Sequence, residues 1–113
     1  MANWNEKIKL VLDELILSNS HVRLGKMFGY PAYYAGKKLC ICLYEEGVSI
    51  KLPEQSASAL LTSDNNTVPF QPMGKPKMRE WVQINLENAE DYKKYQAVFE
   101  ASIRYLTQQG MVK

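Results

Sequence analysis

Histidine is nearly absent from this 113-residue chain, with His21 alone, and cysteine is limited to Cys40 and Cys42. A structural zinc site takes four nitrogen or sulfur ligands, and these three residues fall short, so the sequence argues against a metal centre. No apolar run approaches the roughly 20 residues that a membrane-spanning helix needs. The first residues, Met1 to Lys9, are polar and helical in pattern, unlike an export signal. Internal repeats, low-complexity tracts and linkers are missing too. So are the nucleophile elbow, the metalloprotease helix and the Walker loop. His21 sits just past an expected helix end, where a histidine meets the last carbonyls more readily than it serves as a general base. These gaps lead us to expect a protein that is not an enzyme and has no cofactor, metal or membrane partner.

The two thiols fit that picture. One residue apart in an expected strand, Cys40 and Cys42 should share a face. Their Cα atoms would then lie about 6.5 to 7 Å apart, near the upper limit for a disulfide, so no bridge is expected. Free buried thiols suit a reducing cytoplasm. A reactive thiol needs an electropositive, partly exposed setting, and a core strand is not one.

What the chain does contain is enough for a core. Apolar residues make up 46% and charged residues 23%, close to soluble globular domains in general. At this length one domain, residues 1–113, buries roughly two thirds of its unfolded surface. Asn3 and Glu6 have capping-box spacing, and Trp4, Ile8, Val11, Leu12 and Leu15 recur at helical spacing. A first helix is expected over Trp4–Leu17, with Leu10, Ile16 and Leu17 widening its apolar stripe so that the domain covers it broadly. Short β-rich runs follow: Arg23–Phe28, Ala32–Ala35, Lys38–Tyr44 and Val48–Leu52. Gly36–Lys37 and Glu45–Gly47 mark tight turns, so these strands form an antiparallel meander. Leu39, Ile41 and Leu43 should face one way, and Cys40, Cys42 and Tyr44 the other, which places the third strand centrally.

Pro53 suits the first turn of a short helix that continues through Ser56–Leu61. Thr62–Thr67 reads as loop, Val68–Phe70 as a short edge strand and Gln71–Lys77 as loop. Met78–Asn85 reads as a last strand, with Trp81 either anchoring it in the core or standing exposed as a contact residue. Asn88 caps a final helix to about Gln108. The order predicts an α+β fold: an antiparallel sheet of about five strands covered by N-terminal and C-terminal helices.

Charge is unevenly placed. Seven of the 14 Lys and Arg lie in two acid-free segments, Arg23–Lys38 and Lys75–Arg79, while the whole chain nets only +2. In the first, Arg23, Lys26, Lys37 and Lys38 alternate with Phe28, Tyr30, Tyr33 and Tyr34, the mixture that nucleic-acid binders use. The same residues serve as solvated sheet edges, where lysine discourages aggregation and tyrosine favours strands. In the second, Pro72 and Pro76 stiffen a loop that presents Lys75, Lys77 and Arg79 to an anion or partner. Alternatively, Phe70, Pro72 and Met73 simply pack it down.

Met27, Phe28 and Gly29 with Tyr33 and Gly36, the hairpin through Leu52, and then Gly74, Lys75, Met78, Arg79 and Trp81 together resemble the TfoX N-terminal domain family. The resemblance covers nearly the whole chain and implies a YjbR-like α+β fold. The family's named members are bacterial regulators of DNA-uptake competence in which a second, helical domain follows. With the chain ending at Lys113, the resemblance implies a stand-alone member. Related YjbR-like proteins have been proposed to bind DNA. No catalytic residues come with the family.

Three readings of function follow. The first is a cytoplasmic regulatory or adaptor module that binds a macromolecular partner; for a protein partner, Tyr30, Tyr33, Tyr34 and the loop Gly74–Arg79 form the contact surface. The second is direct DNA or RNA binding through Arg23, Lys26, Lys37, Lys38, Lys75, Lys77 and Arg79, which requires both basic segments to share a face. The third is a small-ligand binder or enzyme with a deep pocket of Tyr, Cys and Arg.

Overall fold

A computed structural model describes residues 3–72 and 78–111. Helix α1 (Glu6–Ile16) is followed by strands β1 (Val22–Met27), β2 (Tyr30–Ala35), β3 (Lys38–Tyr44) and β4 (Gly47–Lys51). Then come α2 (Glu54–Ser63), β5 (Thr67–Pro69), β6 (Trp81–Ile84), a 3-10 helix at Ala89–Tyr95 and α3 (Gln96–Met111). Among the described residues six strands, one more than expected, form one antiparallel sheet in the order β1-β2-β3-β4-β6-β5. The α+β reading holds, with the helices on one face of the sheet.

That face is the core. Ile41, Leu43, Val48, Ile50, Val82 and Ile84 line it and pack in a single cluster with Ile8, Leu12 and Ile16 of α1, Ala57 of α2, Tyr92, and Phe99, Ile103 and Leu106 of α3. At about 25 cal/mol per Å² of apolar surface buried, this cluster is the main favourable term in folding.

Local chemistry departs from expectation in several places. Asn5, not Asn3, caps α1, its Oδ1 accepting from the Lys7 and Ile8 N–H groups at 2.9 and 3.2 Å. The chain stays extended through Trp4 because Trp4 bridges to Glu45, and helix dihedrals cannot begin before that contact ends. Pro53 is the N-cap of α2, one position outside its first turn. The expected final helix is split, with a 3-10 segment before α3. Tyr92 donates to the Ile84 carbonyl at 2.9 Å and accepts from the Leu86 N–H at 3.3 Å. Its hydroxyl thus ties that segment to the end of β6. Leu10 is 67% exposed, so α1 is not covered around its whole apolar stripe.

The thiols do not share a face. Tyr33 pairs with Ile41 but Tyr34 pairs with Leu39, leaving Cys40 as the extra residue of a β-bulge. Cys40 therefore turns into the helix-side cluster with Ile41. Cys42 lies opposite Ala32 and Ser49 on the other side of the sheet. The bulge frees a backbone acceptor, and α3 supplies the donor: buried Ser102 Oγ bonds the Cys40 carbonyl at 3.1 Å.

Candidate partner-binding surface

Antiparallel register fixes which side chains meet on the sheet face away from the helices. Tyr30, Ala32 and Tyr34 of β2 alternate onto it with Cys42 and Tyr44 of β3, Ser49 of β4, and Trp81 and Gln83 of β6. Among the described residues no helix packs there. Aromatic rings form a row across it instead: Tyr30 to Tyr44 at 5.0 Å, Tyr44 to Phe70 at 5.3 Å edge-on, and Phe70 to Trp81 at 5.7 Å. These spacings fall in the favourable range for aromatic pairs. Tyr30, Tyr44 and Trp81 are half-buried and Phe70 is buried, while Ala32, Cys42 and Ser49 on the same face are buried. Trp81 is thus half-buried in a thin aromatic layer on the helix-free face, outside the helix-side core.

Tyr34 has a separate task on that face. Gly25 of edge strand β1 lies beneath it, and a Cβ at Gly25 would come within 3.0 Å of the Tyr34 ring. The tyrosine hydroxyl reaches past the glycine to donate to the Lys26 carbonyl at 2.8 Å. Arg23 stacks on the ring at 4.8 Å and donates through Nε to the Gly36 carbonyl at 3.2 Å. An aromatic ring laid over an edge glycine is a way to stabilise and blunt a sheet edge.

The cations separate accordingly. Arg23 faces the helix-free side, whereas Lys26, opposite Pro31, faces the helix side near the far end of β1. Lys37 and Lys38 are exposed at the β2–β3 turn. That turn is at the sheet end where β4 finishes with Lys51 and β6 starts with Trp81. Exposed Arg79 precedes Trp81 there, and Lys51 lies 3.9 Å from Glu80. Arg23, Lys37, Lys38 and Arg79 thus share one end of the sheet, not one face. Lys75 and Lys77, with Gly74, fall outside the described residues.

Tyr33 presents no surface. It is fully buried, and its hydroxyl donates at 2.6 Å to Asp13, which also pairs with Lys9 at 2.8 Å. Burial pushes the Cys40 thiol up to about 12 and raises Cys42 as well, so neither is poised as a thiolate. His21 is exposed, its backbone N–H held by Asn19 Oδ1 at 2.8 Å.

Sequence reasoning ended a strand at Phe28 and counted it as stacking surface, but did not place it in a turn or among the candidate contacts. It is 87% exposed at the tip of the β1–β2 hairpin, with φ of 51° beside Gly29 at 88°. Two positive φ values in a two-residue turn mark the primed geometry that Asn-Gly usually supplies. With Phe at the first position, that signal was masked. No protein-family model matches this sequence, and comparison with curated proteins and with solved structures finds no match.

Proposed function

We propose that this chain is a non-enzymatic binding module of the TfoX N-terminal kind, a cytoplasmic regulatory or adaptor domain whose partner is a protein. The observation that carries this reading is the aromatic row Tyr30–Tyr44–Phe70–Trp81 on the sheet face that no described helix covers. Aromatic side chains supply large contact area at low entropic cost and dominate interface energetics. The buried, protonated thiols lend no support to a nucleophilic mechanism.

Direct DNA or RNA binding is the second reading, favoured by the gathering of Arg23, Lys37, Lys38 and Arg79 at one sheet end. It is the weaker of the two. The Arg23 guanidinium is already engaged by Tyr34 and Gly36, and Lys26 points to the opposite face.

A photo-crosslinking amino acid at position 30 tests the first reading in the native host. A discrete protein adduct that disappears in Trp81→Ala is expected, and crosslinking to nucleic acid alone would overturn it. Anisotropy titration against labelled duplex and single-stranded DNA from about 50 to 200 mM salt tests the second. Phosphate-driven binding through four cations would fall with log salt at a slope near −4 on B-DNA, and we expect no such binding.

A further inference from the structure

We propose that the groove between α1 and the start of the 3-10 helix receives the Phe28 hairpin tip of a second copy of this chain, in a head-to-tail contact. This contact is separate from the aromatic row and does not depend on its role.

Two features of the fold stand unexplained by folding itself. The first is Phe28. A bulky side chain in the left-handed region costs about 1–2 kcal/mol, and burial does not offset this, since Phe28 is the most exposed large apolar residue described. The two-residue turn itself demands the positive φ, so it is the placing of a phenyl ring at that exposed position that points to a use outside the isolated fold. Leu24, 42% exposed, and Lys26 lie on the same strand and share its helix-side face. The tip is therefore apolar at its end with a cation on its flank.

The second is the groove. It is an open depression of about 600 Å³ between Lys7, Leu10, Val11 and Glu14 of α1 and residues Glu87 to Glu90. Leu10 stands 67% exposed on its wall, with half-buried Ala89 adding apolar surface and Val11 buried behind it. Glu14, Glu87 and Glu90 surround these groups. Lys7 is the one cation among the described lining residues, and Lys93 pairs with Glu90 at 2.6 Å. An apolar cleft with an acidic rim matches an aromatic tip flanked by lysine, in shape class and in charge. In the isolated chain the two halves stay apart, because Phe28 is in solvent.

Tip and groove are different patches, so the contact is heterologous. Repeated addition then extends an open chain unless the rotation closes a ring. A contact this small is weak, and sedimentation between about 10 µM and 1 mM covers the relevant range.

Wild-type protein should show a sedimentation coefficient that rises with concentration and falls back with added salt. Phe28→Asn puts a residue suited to positive φ at the tip, so it should melt no lower than wild type yet remain monomeric. Glu14→Lys with Glu87→Lys should remain monomeric through loss of the groove rim. An equimolar mixture of these two variants keeps one intact tip and one intact groove, and should give a 1:1 dimer that grows no further. Monomeric wild type at 1 mM, self-association of Phe28→Asn equal to wild type, or a mixture that stays monomeric would each overturn the proposal.

Discussion

Individual buried groups set how this domain responds to alkali. Cys40 is pushed up to about 12 by burial from a usual value near 9. Tyr92 is pushed up to about 12, also chiefly by burial. Tyr33 is raised by burial and by its bond to Asp13. All three are protonated in the fold, while the unfolded chain releases the thiol proton near pH 9 and the phenol protons near pH 10. The unfolded state then binds fewer protons, so stability holds below about pH 9 and declines as pH rises toward 12. Each group adds about 1.4 kcal/mol per pH unit once its unfolded form has titrated. Urea unfolding at pH 8 to 11 should show this decline, and Cys40→Ala should remove about 1 kcal/mol of the decline between pH 9 and 10. A stability profile flat to pH 11 would contradict the assignment of buried, neutral thiol and phenols.

Among the elements, the β1–β2 hairpin depends on one side chain. Tyr34 covers Gly25, caps the Lys26 carbonyl and carries the Arg23 guanidinium. An exposed cation–π contact contributes about 0.5–1 kcal/mol and a net hydrogen bond about 0.5–1.5 kcal/mol. Tyr34→Ala should therefore destabilise the domain by about 1–2.5 kcal/mol and speed amide exchange in β1 well ahead of β3. Uniform exchange across the sheet would show that β1 does not rely on it. The meander itself was legible in the sequence because Gly36 and the Glu45–Gly47 turn punctuate alternating runs, and β3 has the predicted bounds. The bulge was not legible, since nothing local to Cys40 distinguishes a bulged strand from a regular one. It is held by Ser102, 62 residues away, and such a contact is invisible to a reading by spacing. The same limit left Trp81 open between core and surface, since its neighbours Phe70 and Tyr44 meet it only across the folded sheet. Of the candidate contacts, Tyr30 and Tyr34 were placed on a common face. Tyr33 and Tyr34 are adjacent in a strand and had to part company, one into the core and one out of it.

The molecule as a whole has one core. A single cluster takes side chains from α1, α2, α3, the 3-10 helix and the central strands, so no part keeps a core when the rest is removed. Unfolding should be one cooperative transition in which far-ultraviolet circular dichroism and tryptophan fluorescence coincide. At about 0.7 kcal/mol per residue the calorimetric enthalpy should be about 80 kcal/mol near 60 °C. Separate midpoints for the two probes would indicate a second cooperative unit. The strand order also bears on how the chain is made. β4 finds its outer neighbour not in β5, the next strand, but in β6, so Lys51 waits for Trp81 and the whole of β4 waits for Ile84. At about 5–20 residues per second of synthesis, Ile84 follows Lys51 by about 2 to 7 s, and the α3 residues Phe99, Ile103 and Leu106 follow later still. Until then the apolar residues of β3 and β4 lack both their sheet neighbour and their helix cover, and they are open to a chaperone.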